Sequence, residues 1–140
     1  MTQVITYPTA DGIAVVYPTG ELPIEDVIAR DVPEGVPATI MNSEDLPDRY
    51  FRAAWKFHPS KGADVDVEKA KDVQRNHWRK LREPKLAALD IEVMKAVERG
   101  DAKKRGAAAD KKQALRDVTD WPLPDDLAEI KATIPDILLT

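Results

Sequence analysis

The chain has 140 residues, of which 33% are charged and 6% aromatic, and its net charge at pH 7 is −4. This length fits one domain, or a small domain with an appendage, and the negative charge gives no strong case for binding nucleic acid or an anionic membrane. Because the sequence contains no cysteine, disulfides, thiolate metal sites and a cysteine nucleophile are excluded.

The N-terminal residues lack the basic start and apolar core that are typical of a secretory signal. No apolar run approaches the ~18 residues that a membrane-spanning helix needs. We therefore expect a soluble protein that makes no contact with a membrane.

The first part of the chain carries the sequence pattern of a small β-sheet. Residues 4–7 and 13–17 are rich in β-branched and aromatic side chains, which favour strands. A turn signal at Asp11-Gly12 lies between them, so the pattern predicts a β-hairpin. Residues 36–41 are a candidate third strand, because a hairpin by itself is only marginally stable. Pro23 opens a short amphipathic helix between the hairpin and this strand.

A loop-like segment of proline, serine, lysine and glycine covers residues 58–63, and we place the domain boundary there. The sequence thus predicts a small β-containing domain at residues 1–57 and a linker at 58–63. A helical hairpin domain with a short C-terminal helix is predicted at residues 64–140.

A long helix is predicted at residues 63–100, which contain one proline, Pro84, and no glycine before Gly100. Before Pro84, one face carries Val67, Ala70, Val73, His77, Trp78 and Leu81. After Pro84, the apolar face carries Leu86, Leu89, Val93, Ala96 and Val97, and it is displaced by roughly 100° around the axis. A proline inside a helix removes a hydrogen bond and kinks the helix.

The proline and the displaced face coincide, so we predict a kink at Pro84 or two abutting helices. The first half is expected to pack on the N-terminal unit or on a partner, and the second half on the next helix. Replacing Pro84 with alanine should then straighten the helix and misalign its two faces.

A second helix is predicted at residues 103–118, after the stop at Gly100 and Asp101. Its core anchors are Leu115 and Val118, and the short connector predicts an antiparallel helical hairpin. The fold class is therefore α+β: a small N-terminal β-hairpin or sheet unit, then a long kinked helix folded into an antiparallel helical hairpin.

The sequence offers no arrangement that is typical of a catalytic, metal or cofactor site. The histidines, His58 and His77, lack the i+3 or i+4 partner of a metal site, and neither serine lies in a Gly-x-Ser-x-Gly motif. Acidic pairs such as Asp125 and Asp126 lie at helix starts, where acids are favoured. We therefore expect no enzyme activity and no cofactor.

Surface contacts are the remaining basis for a function. A basic cluster at residues 75–85 includes Trp78, but Trp78 falls on an apolar face and the chain has a pI of about 5.2, so nucleic-acid binding is weakly supported. The apolar surplus of the helices instead favours contact with another protein, or a homo-oligomer. The predicted partner-binding residues are Trp78, Leu81, Leu86, Leu89, Val93, Leu115, Val118 and Trp121.

Several short motifs occur in a fixed order along the chain. They are VVYPTGELPIEDV at residues 15–27, DVPEGVP at 31–37, LPDRYFRAAW at 46–55, the segment 70–90, which ends in PKLAALD, and KQALRDVT at 112–119. This series resembles small proteins encoded near the tail and tail-fibre genes of tailed bacteriophages and prophages. It is similar to tail-fibre assembly and tail assembly chaperone proteins.

The resemblance implies a role in assembly or in the virion, without catalysis, and it assigns no chemistry to any residue. The implied partner is a phage tail or tail-fibre protein, met in the host cytoplasm during assembly or in the virion tail. The leading interpretation is an assembly chaperone, and the alternative is a structural component of the mature tail at the baseplate or fibre attachment. A small nucleic-acid-binding regulator is the second alternative.

Overall fold

A computed structural model describes residues 2–139 and has an α+β fold, as the sequence predicts. The chain divides into two compact units, Met1–Ala70 and Lys71–Thr140. The first contains the β-strands and a short helix, and the second contains most of the helical residues.

The first unit is built on a three-stranded antiparallel sheet. Its strands are β1 (Gln3–Thr9), β2 (Gly12–Val16) and β3 (Thr39–Asn42), in the order β2-β1-β3. The predicted hairpin and third strand are therefore confirmed. Val4 and Ile5 of the central strand are fully buried, so β1 supplies the centre of this core.

A second hairpin forms where the sequence indicates a linker. It consists of β4 (Trp55–His58) and β5 (Gly62–Val65). His58 Nδ1 accepts hydrogen bonds from the backbone amides of Ser60 (3.1 Å) and Lys61 (2.9 Å), which closes the turn. The buried Thr6 Oγ1 donates to the carbonyl of Gly62 at 2.8 Å. Residues 58–63 are therefore an integral part of the first unit, since a tight turn and a linker share the same polar, glycine-rich composition.

Short helical segments add to the core of the first unit. The predicted helix is confirmed as α1 (Ile24–Asp31), which buries Val27. A 3₁₀ helix at Arg49–Ala54 buries Phe51, and the indole of Trp55 donates to the carbonyl of Asp48 at 3.1 Å. These aromatic side chains enlarge a core that the small sheet alone could not supply.

The long helix α2 (Val67–Arg99) is continuous over 33 residues and includes Pro84. Of the two predicted alternatives, the chain thus forms one helix and not two abutting helices. Pro84 is exposed, so water can reach the carbonyl of Lys80, which has lost its helical donor.

The helix α3 (Ala102–Arg116) folds back antiparallel on α2, as predicted. Asp101 caps it by accepting a hydrogen bond from the amide of Lys104 at 3.0 Å. Lys112 pairs with Asp90, and Arg82 Nη1 donates to the carbonyl of Arg116 at 3.1 Å. As the residue number on α3 increases, the number of its partner on α2 decreases, which shows that the two helices run antiparallel. A short helix, α4 (Leu127–Ala132), follows near the C-terminus.

One hydrophobic core fills the second unit. Its buried members are Trp78, Leu89, Ala108, Leu115, Val118 and Leu138. Side chains from both sides of Pro84 contribute to it, including the half-buried Leu81 and Leu86. The prediction that the first half packs on the N-terminal unit or on a partner is therefore wrong for Trp78 and Leu81. The predicted packing of the second half with Leu115 and Val118 is confirmed.

Polar residues explain why the sequence suggested two displaced faces. The buried side of α2 in this unit runs through Gln74, Trp78, Arg82, Lys85, Leu89, Val93 and Ala96, at steps of three or four residues. Gln74 Nε2 donates to the carbonyl of Thr133 at 2.9 Å, just beyond the end of α4. Arg82 binds carbonyls at the end of α3 in the same way. The continuous side is thus partly polar because it satisfies the last carbonyls of two helices.

Candidate protein-binding surface

The eight predicted partner-binding residues do not share one surface. Trp78, Leu89, Leu115 and Val118 are buried in the core of the second unit, and the indole of Trp78 donates to the carbonyl of Thr133 at 3.0 Å. A side chain that is buried in its own core offers no contact to a partner. These four residues therefore stabilise the helical unit.

The other four predicted residues are closer to the surface. Leu81, Leu86 and Val93 are half-buried and contact the core cluster. Trp121 follows a 3₁₀ helix at the end of α3 and is 46% exposed. Of the eight residues, Trp121 alone is exposed. Most of the residues predicted to bind a partner therefore pack inside the helical unit instead.

Three large apolar side chains form an exposed strip along the second half of α2. Ile91, Met94 and Val97 are 54%, 64% and 55% exposed, respectively. A spacing of three residues keeps successive side chains close together on one side of a helix. We call these three residues the apolar strip. It lies on the side of α2 that its own core does not use.

Charged residues border the apolar strip. Asp90, Lys95 and Glu98 are exposed within one turn of it, and Ala87 extends its apolar character by a further turn. An apolar centre with a charged rim is the common composition of a protein-binding surface.

Sequence reasoning predicted a partner-binding role for none of the three strip residues. It assigned Val97 to the core face and left Ile91 and Met94 without a role. The signal was present, since apolar residues at positions i, i+3 and i+6 form a stripe of their own beside the core stripe. Of the two stripes on this stretch of helix, one faces the core and the other is exposed.

One salt-bridged pair on α1 shifts the pKa values of both of its members. The guanidinium of Arg30 donates to both carboxylate oxygens of Asp31, at 2.9 and 3.0 Å. These hydrogen bonds lower the pKa of Asp31 and raise the pKa of Arg30. The pair lies at the exposed end of α1, where such a contact adds little to stability.

Residues 2–139 show neither a metal-binding cluster nor a membrane-spanning helix. In that range no three His, Asp or Glu side chains come together as a metal site would require. No helix there is both long enough and apolar enough to cross a bilayer. His58, one of the two histidines, instead closes the β4–β5 turn.

Comparison with known protein families, with curated proteins and with solved structures found no match. The apolar strip is therefore the feature on which a functional interpretation rests.

Proposed function

We propose that the protein is a non-enzymatic accessory protein of a phage tail or tail fibre. It acts as an assembly chaperone and binds a tail or tail-fibre protein through the apolar strip of α2. This proposal rests on one observation: the side chains of Ile91, Met94 and Val97 are each more than half exposed. The phage setting is supported by the sequence resemblance described above.

The physical reason for a partner is the free energy of exposed apolar surface. Burying apolar area contributes about 25 cal/mol per Å², and this contribution is unused while the strip faces water. Apolar side chains spaced along one helix face are the usual anchors when a helix docks into a groove. Met94, the most exposed of the three, is unbranched and flexible, and suits a surface that must adapt to a partner.

The alternative, a structural component of the mature tail, uses the same surface. Mass spectrometry of purified particles separates the two. A chaperone is absent from the finished particle, whereas a structural component at the baseplate or fibre attachment is present at a fixed stoichiometry. We expect the protein to be absent.

The regulator alternative depended on Trp78 stacking on a base within the basic cluster at residues 75–85. The indole of Trp78 is fully buried and donates a hydrogen bond inside the protein. This observation weighs against base stacking, so we do not favour nucleic-acid binding by that cluster.

Co-expression with a phage tail-fibre gene tests the chaperone proposal. We expect the wild-type protein to raise the yield of soluble, trimeric fibre. A variant carrying Ile91→Ser and Met94→Ser should give the same yield as fibre expressed alone. Both side chains are exposed, so the stability of this variant should stay within about 0.5 kcal/mol of wild type.

The matched control removes two exposed apolar side chains elsewhere, Leu22→Ser and Leu139→Ser, and should retain full activity. A fibre that is equally soluble and trimeric without the protein would refute the proposal. Equal loss with both variants would refute the role of the apolar strip.

A further inference from the structure

A groove lies between the second half of α2 and the first half of α3, within the helical unit. Its volume is about 330 Å³. Four cationic side chains line it: Lys95 and Arg99 from α2, and Lys104 and Lys111 from α3. We call this feature the basic groove. It uses none of the three residues of the apolar strip.

The floor of the basic groove is made of small side chains. Ala96 and Ala108 are buried beneath it, and Ala107 also lines it. Alanine on both helices leaves room that a larger side chain would fill. The groove can therefore admit small apolar side chains between its two charged walls.

The charge of the basic groove is unbalanced. One carboxylate, Glu92, lines it beside the four cations, which leaves three net positive charges. Within residues 2–139, none of the four cations lies within 4.0 Å of a carboxylate. By contrast, Lys71 and Lys112 of the same unit are paired with Asp125 and Asp90.

Unpaired like charges around one cavity repel one another, and a ligand of opposite charge relieves that repulsion. We propose that the basic groove binds an acidic segment of a partner protein. Carboxylates of that segment pair with Lys95, Arg99, Lys104 and Lys111, and its small side chains lie on the alanine floor. This inference stands apart from the proposed function, because it uses none of Ile91, Met94 and Val97 and can fail separately.

An acidic protein segment fits better than a nucleic acid. No aromatic side chain is among the described residues that line the groove, so a base would have nothing to stack on. The carboxylate of Glu92 would repel a phosphate backbone, whereas a peptide can place a lysine or an amide there. The alanine floor also matches the small side chains of a peptide better than the edge of a base.

The probe is a fluorescein-labelled acidic peptide of alternating Glu and Ala pairs, about 12 residues or three helical turns long. Its binding to the full chain is measured by fluorescence anisotropy at low and at raised salt. We expect saturable binding that weakens as salt rises, because exposed ion pairs are screened. A peptide with every Glu replaced by Gln should not bind.

A charge-reversed variant locates the site. Lys104→Glu and Lys111→Glu change two exposed, unpaired side chains of α3. Together they should lower the affinity for the acidic peptide about 10-fold or more. The matched control, Lys80→Glu and Lys103→Glu, changes the net charge equally outside the groove and should leave affinity within about 2-fold. Circular dichroism confirms that both variants are folded.

Four results would overturn the inference. One is the absence of saturable peptide binding even at low salt. Another is equal weakening by both variants, which would mean diffuse attraction. A third is tighter binding of a single-stranded oligonucleotide of the same charge. The last is self-association at low salt that the groove variant abolishes, which would make a second copy of the chain the occupant.

Discussion

At the scale of single residues, Gly62 is the most constrained turn position of the first unit. Its φ is +89°, and a Cβ there would lie 2.6 Å from Met41 Sδ and 3.1 Å from Thr6 Oγ1. Gly35 has a similar φ of +80°, but a Cβ added there would meet nothing within 4 Å. Comparing alanine substitutions at Gly62 and Gly35 therefore separates the cost of backbone strain from the cost of steric crowding.

We expect Gly62→Ala to lower the free energy of unfolding by about 2–4 kcal/mol, since it adds overpacking to strain. Gly35→Ala should cost about 1 kcal/mol, from strain alone. Urea denaturation of both variants measures the difference. Equal losses would show that the contact with Met41 relaxes without cost.

The buried amide of Gln74 gives a second residue-scale prediction. Its Nε2 donates to the carbonyl of Thr133 at 2.9 Å, and the side chain is fully buried. Gln74→Leu keeps the volume but removes this donor, while the indole of Trp78 still donates to the same carbonyl, so we expect a loss of about 0.5–1.5 kcal/mol in unfolding free energy.

Gln113→Leu is the control, because Gln113 is exposed and its partner Asp117 can bind water instead. It should change stability by less than about 0.5 kcal/mol. If Gln74→Leu were as stable as wild type, the end of α4 would not depend on this amide.

At the scale of elements, the continuity of helix α2 changes the expected effect of replacing Pro84. Sequence alone predicts that Pro84→Ala misaligns two faces. In the structure the buried side is continuous from Gln74 to Ala96, and Pro84 is exposed, so alanine restores a hydrogen bond to the carbonyl of Lys80 without moving the core.

We therefore expect Pro84→Ala to raise the free energy of unfolding by about 1–2 kcal/mol, less than the full difference of about 3 kcal/mol in helix propensity. Thermal unfolding followed by circular dichroism at 222 nm measures the change. The reverse control, Ala87→Pro, places a new proline at another exposed position of α2 and should destabilise. A loss of stability in Pro84→Ala would mean that the core depends on the proline after all.

Elements with a regular pattern were the predictable ones. β-Branched and aromatic residues predicted β1 and β2, and the marginal stability of a lone hairpin predicted β3. The helix stop at Gly100 and Asp101 and the apolar anchors Leu115 and Val118 predicted α3. The β4–β5 hairpin was not predicted, because its register depends on distant contacts such as the hydrogen bond from Thr6 to Gly62. Short strands around a polar turn carry little local signal.

At the scale of the whole molecule, the three tryptophans report on its packing. Trp55 and Trp78 are 3% and 0% exposed, whereas Trp121 is 46% exposed. Trp55 belongs to the first unit and Trp78 to the second. Each buried indole therefore monitors a different unit.

We expect Trp121→Phe to remove most of the fluorescence that acrylamide quenches, because the two remaining indoles are shielded from solvent. The emission of this variant should lie to the blue of wild type, and its stability should change by less than about 0.5 kcal/mol. A quenching constant that stays unchanged would contradict the burial of Trp55 or Trp78.

By itself, the sequence determined the α+β class, the N-terminal sheet, the long helix and its antiparallel partner, because these depend on local periodicity and capping. It also identified Leu115 and Val118 as core anchors. Only the tertiary structure decided which apolar side chains of α2 face inward, because Gln74 and Arg82 on the buried side are polar and bind carbonyls that lie far away along the chain. The exposed strip of Ile91, Met94 and Val97 became visible for the same reason. Periodicity shows that a helix has apolar faces, but the neighbours that cover one of them are set by the fold.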